Sequence, residues 1–82
     1  ALLSSRSRLV TRNVMLAGKR TSIRLEPELW EALALICEQQ DKSLHAVCSE
    51  IALNNPETAF TSAVRVFILR HFVASERQRL QA

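Results

Sequence analysis

Hydrophobic and polar positions change rhythm at Glu26. Before it, Thr21, Ile23 and Leu25 alternate with Arg20, Ser22 and Arg24, the two-residue period of a strand with one covered face. After it the spacing turns helical. Glu26 stands at the N-cap position, Pro27 suits the first helical residue, and Glu28 complements the positive helix end. Leu29, Leu33, Ile36 and Cys37, with Trp30 beside them, form one apolar stripe, and Glu28, Glu31 and Glu38 lie opposite. These positions predict a strand over 20–25 and a helix over about 27–40. Leu35 falls among the acids, so it is expected to be exposed or held in an interchain contact.

A second helix is predicted over 43–54, with Ser43 as its cap and Leu44, Val47, Cys48 and Ile51 turned inward. Asn55 before Pro56 ends it, because the residue preceding proline is driven out of helical geometry. A third helix is predicted over 58–80. Phe60, Val64, Phe67, Ile68 and Phe72 line one side, while Val66, Leu69, Val73 and Leu80 line the other. A helix apolar on two sides is normally buried on both. Upstream, residues 1–18 read as a basic arm, with a short candidate strand at 12–16 and a turn at Ala17-Gly18 that could fold it onto 20–25 as a hairpin. Residues 19–82 form the domain proper.

A strand that runs straight into a helix leaves no room for a crossover, and little chain remains to pair with it. The expected neighbour is the same strand of a second copy. Eighty-two residues make one small domain, of a size at which disulfides, metals or oligomerisation commonly supplement the core. Cys37 and Cys48 sit on apolar helix faces like small hydrophobes. No Cys/His ligand spacing occurs, and neither His45 nor His71 has a partner at metal spacing, so no metal or cofactor is expected. His45 reads as a surface residue and His71 as a packing one. Oligomerisation remains, as a homodimer or a higher homo-oligomer. No apolar run approaches membrane length, Ala1–Ser5 is too short for a secretory segment, and two cysteines in such a chain point to a reducing cytoplasm.

Net charge is only +3, but its placement is uneven. Residues 1–25 carry +6 without an acid, residues 26–57 carry −6, and residues 58–82 carry +3. Positive charge gathered on an arm and a strand is the footprint expected for a polyanion. The competing account is a solvated basic edge that discourages aggregation.

The run Arg20-Thr21-Ser22-Ile23-Arg24-Leu25, then Pro27-Glu28-Leu29-Trp30-Glu31-Ala32-Leu33, then Lys42-Ser43-Leu44, resembles the ribbon-helix-helix superfamily, the Arc/MetJ type of bacterial DNA-binding protein. Thr61–Leu69 looks like the extra C-terminal helix of a longer subgroup. The resemblance implies a mainly α fold: short N-terminal strands paired antiparallel across a homodimer, followed by three helices. It implies DNA bases contacted by Arg20, Ser22 and Arg24. It further implies phosphates contacted near Lys42, Ser43 and Leu44, with Arg6, Arg8 and Arg12 adding salt-sensitive contacts. Ile23, Leu25, Leu29, Trp30, Leu33, Val47, Ile51 and Phe67 would form the dimer core. The turn after the first helix often carries glycine in this family; here Asp41 must take any left-handed geometry.

Two functions compete. One is a sequence-specific DNA-binding dimer, a transcriptional regulator. The other is a protein-interaction module on the same fold, an antitoxin or assembly factor gripping a partner protein with its third helix. An enzyme is set aside: one glycine leaves no phosphate-cradling loop, and no nucleophile, base and orienter can be assembled.

Overall fold

The computed structural model describes residues 8–81. Two strands, β1 (Val10–Leu16) and β2 (Lys19–Leu25), precede three helices, α1 (Pro27–Gln40), α2 (Leu44–Asn54) and α3 (Phe60–Gln81). The strands pair antiparallel in a continuous register from Val10 opposite Leu25 to Leu16 opposite Lys19. Ala17 and Gly18 link them with φ of 52° and 79°. Two left-handed residues make the tight turn whose twist matches that of a hairpin. Glycine adopts this backbone freely; Ala17 does so against its Cβ.

This is the hairpin that the turn at Ala17-Gly18 allowed. The neighbour of β2 within the chain is β1, which is longer than the segment 12–16 because Val10 and Thr11 join it. A two-residue turn makes Leu16 and Lys19 a hydrogen-bonded pair, so Thr21, Ile23 and Leu25 direct their backbone groups at β1. Arg20, Ser22 and Arg24 direct theirs away, along an edge with no strand partner among the described residues.

The inward row of the hairpin supplies Val14, Ile23 and Leu25 to the core, each at most 1 % exposed. Beneath it lie Trp30, Leu33 and Ile36 of α1, Val47, Cys48 and Ile51 of α2, and Ala63, Val64 and Ile68 of α3. Six of the residues expected in a dimer core (Ile23, Leu25, Trp30, Leu33, Val47 and Ile51) are thus buried within one chain, and Leu29 and Phe67 pack against them half-buried.

Local chemistry sets the helix ends. α1 begins with Pro27 at its first position, and the Glu26 carbonyl accepts from the Leu29 and Trp30 N–H groups. The Glu26 side chain makes no cap. It faces Arg65 of α3 instead, at 3.1 Å and 3.2 Å through its two oxygens. Arg65 therefore ties α3 to the β2–α1 junction. Asp41 ends α1 in the left-handed conformation (φ 55°, ψ 45°), as its position required. The Lys42 N–H behind it reaches the Cys37 carbonyl at 3.0 Å. Ser43 caps α2 by accepting from the Ala46 N–H at 3.0 Å.

α3 does not bury two sides within the chain. Its core contacts stop at Ile68, leaving Phe72 37 % exposed although it belongs to the inward stripe. On the other side Val66, Leu69, Val73 and Leu80 all face solvent. Both cysteines are free. Burial pushes the Cys48 thiol up to about 11, with nearby Cys37 adding to the effect. Burial also raises Cys37, opposed by a backbone hydrogen bond.

Candidate nucleic-acid interface

With Val14, Ile23 and Leu25 of its inner face buried against the helices, the hairpin presents an exposed row of side chains on its other face. Arg20, Ser22 and Arg24 come from β2 and all three are exposed. The register places Met15, Asn13 and Thr11 of β1 directly across from them. The Ser22 hydroxyl donates to Asn13 Oδ1 at 2.8 Å. Among the described residues, ion pairs engage Lys42 with Glu50, Arg65 with Glu26, and Arg79 with Glu76, and none engages Arg20 or Arg24. Both guanidinium groups keep their donors for an outside acceptor.

Asn13 and Thr11 belong to this row, yet the strand reading did not single them out. The signal was present: Val10, Arg12, Val14 and Leu16 alternate with Thr11, Asn13 and Met15, so the second set had to face outward once the first faced the core.

Arg12 does not join the row. It lies on the inner side, where its guanidinium stands 5.2 Å from the centre of the Trp30 ring. The same indole donates its N–H to the Val10 carbonyl at 2.9 Å. Arg8 is exposed just ahead of β1. Arg6 lies outside the described residues.

α2 is stitched to the ribbon. His45 Nδ1 accepts from the Met15 N–H at 2.9 Å, and the Ser49 hydroxyl reaches the Met15 carbonyl. His45, though exposed, is therefore engaged, and together with Asn13, Met15 and Arg20 it lines a polar cleft. These bonds bring the N-terminus of α2 beside the outward row. There the Lys42 ammonium is held by Glu50, the Ser43 oxygen is committed to its cap, and Leu44 packs half-buried against the core. At this end the side chains are occupied, and what remains for a ligand is backbone N–H groups.

Chemically, the outward row offers two forked cations on either side of a hydroxyl–amide pair. A guanidinium can bond guanine O6 and N7 together, and a hydroxyl can serve several base edges. Two strands about 4.8 Å apart are narrow enough for the major groove, which is about 12 Å wide. No group of three or more His, Cys, Asp or Glu among the described residues could hold a metal ion, and no helix there is long and apolar enough to cross a membrane.

No curated protein and no solved structure matches the chain. One family model does, described as a ribbon-helix-helix domain, and it spans residues 9–72. That span takes in the whole hairpin, α1, α2 and the packed half of α3. The chain belongs to the ribbon-helix-helix domain family.

Proposed function

We propose that this protein binds duplex DNA sequence-specifically as a homodimer and acts as a transcriptional regulator, with a two-stranded ribbon in the major groove. The observation that carries this reading is the outward row Arg20–Ser22–Arg24. It is exposed, free of ion pairs among the described residues, and backed by a buried core on its other face. The family's general character as a DNA-binding, non-enzymatic fold supports it.

The unpaired edge of β2 supports the dimer. A second β2 laid antiparallel along that edge would satisfy the backbone groups of Arg20, Ser22 and Arg24 in both copies. It would also set two outward rows side by side at the centre of a four-stranded sheet. The outer strands of such a sheet are about 14 Å apart, somewhat wider than the groove, so the β1 strands would rest at its rims. Backbone N–H groups at the start of α2, near Lys42, Ser43 and Leu44, would take a phosphate.

Selection of bound DNA from a random pool, with oligomer mass measured on the same sample, tests this. The expected product is a two-fold symmetric motif whose guanines lose preference in Arg20→Ala or Arg24→Ala, at about 1–3 kcal/mol per bidentate contact. Arg8→Ala should instead weaken all sequences alike and lower the salt slope by about one. Absence of any base preference at moderate salt would overturn the reading.

The exposed side of α3, with Leu69 63 % and Leu80 74 % accessible, favours a second reading, a module that grips a partner protein through this helix. Recovery of one stoichiometric foreign protein with the chain, lost in Leu69→Ser, would support it.

A further inference from the structure

Two exposed stripes on different helices of this chain match each other. On α1, Leu35 is 49 % exposed and stands between Glu31 and Glu38, with Ala34 beside it. On α3, Val73 is 43 % exposed and stands between Arg70 and Arg77, with Leu69 and Ala74 beside it. Seven residues separate the charges in each pair, two helical turns and about 10.5 Å. One stripe is acidic with an apolar centre; the other is basic with an apolar centre. None of the four charges takes part in an ion pair among the described residues.

Both stripes lie away from the faces that pack. α1 buries Trp30, Leu33 and Ile36, and α3 buries Ala63, Val64 and Ile68. The α1 and α3 of one chain therefore meet through other residues, and these stripes remain available to something else.

We propose that the occupant is a second copy of this chain, with α1 of each copy receiving α3 of the other about a two-fold axis. Because the two spacings agree, a glutamate meets an arginine at both ends and Leu35 meets Val73 at the middle, and symmetry repeats the contact. Such a self-complementary surface is what a closed two-fold pair needs. A phosphate backbone would engage Arg70 and Arg77 but leave Leu69 and Val73 wet. A foreign protein would need to reproduce an acidic, apolar-centred helix that the chain itself already carries. Arg77 and the end of α3 lie beyond the residues matched by the family model. The contact thus involves more than the shared domain, and it does not depend on DNA binding.

Two charge-reversed full-length variants test it, Glu31→Arg with Glu38→Arg, and Arg70→Glu with Arg77→Glu. All four positions are exposed, and circular dichroism checks that each variant keeps its helices. By sedimentation at low salt, each variant alone should lose one association step of the wild type, or weaken in it by at least about tenfold, because attraction becomes repulsion at every pair. An equimolar mixture should recover the wild-type mass, since a basic α1 then meets an acidic α3 at one contact and an acidic α1 meets a basic α3 at the other. Variants that associate like the wild type would overturn the proposal, as would weakened variants that fail to complement each other. The readout is mass without DNA, so a failure here is distinct from a failure to bind DNA.

Discussion

The Ser22 hydroxyl donates to Asn13 Oδ1 across the hairpin, 2.8 Å apart, on the face that points away from the core. A serine hydroxyl alone rotates and serves as donor or acceptor. Once its proton is committed to Asn13, it presents lone pairs outward, and the Asn13 amide presents N–H groups beside it.

Asn13 is accordingly a positioning residue for Ser22. On the proposed DNA-binding reading, in which Ser22 meets a base, Asn13→Ala should relax the preference at that base by about three- to tenfold, a fraction of one good base contact. Preference at the arginine-read positions should persist. Thermal stability should change by less than about 0.5 kcal/mol, since the position is exposed. Competition binding with single-base variants of the selected site measures this; an unchanged base profile would show that Ser22 needs no such partner.

The turn carries a removable strain. Ala17 holds φ 52° with nothing but its Cβ opposing it. Ala17→Asn should stabilise the chain by about 0.5–1 kcal/mol, because asparagine tolerates the left-handed region and suits the first position of this turn. Gly18→Ala should cost about 1 kcal/mol from backbone strain alone, for no atom lies within 4 Å of the added carbon. Urea denaturation of both variants gives the two signs.

Trp30 holds β1 by two means, its N–H to the Val10 carbonyl and its ring beneath the Arg12 guanidinium. Trp30→Phe keeps most of the apolar volume and removes the donor. The expected loss is about 1–2 kcal/mol, with faster hydrogen exchange along Val10–Leu16 than along α1. Uniform loss of protection would place the effect in the core instead of the strand.

The raised thiol of Cys48 gives stability a pH dependence in the alkaline range. The unfolded thiol ionises near 9.0, whereas the folded one holds its proton to about 11. Below pH 9 both states are protonated and this contribution is fully present. As pH rises from 9 to 11, the unfolded state alone sheds its proton and is favoured, so roughly 2–3 kcal/mol is lost across that window. Cys48→Ala should flatten the alkaline limb of a stability–pH profile, at a fixed cost from the vacated space. A profile of unchanged shape would assign the limb to other groups.

Much of this was legible in the residues because local rules were strong. The alternation over 20–25 fixed which side chains of β2 face outward, Pro27 marked the start of α1, Ser43 marked the cap of α2, and Asp41 was placed at a left-handed end. These depend on neighbours within a few positions, so sequence alone could determine them, along with the family resemblance they carry.

Only the tertiary structure decided what lies across space. It paired β2 with β1 and so brought Asn13 to Ser22, sent Arg12 to Trp30 and Arg65 to Glu26, and engaged His45 at the edge of β1. It also closed the core within one chain while leaving one side of α3 uncovered. Periodicity states which positions of a helix are apolar, but not how much chain is near enough to cover them. That is a matter of three-dimensional packing, and here the packed part of α3 ends at Ile68.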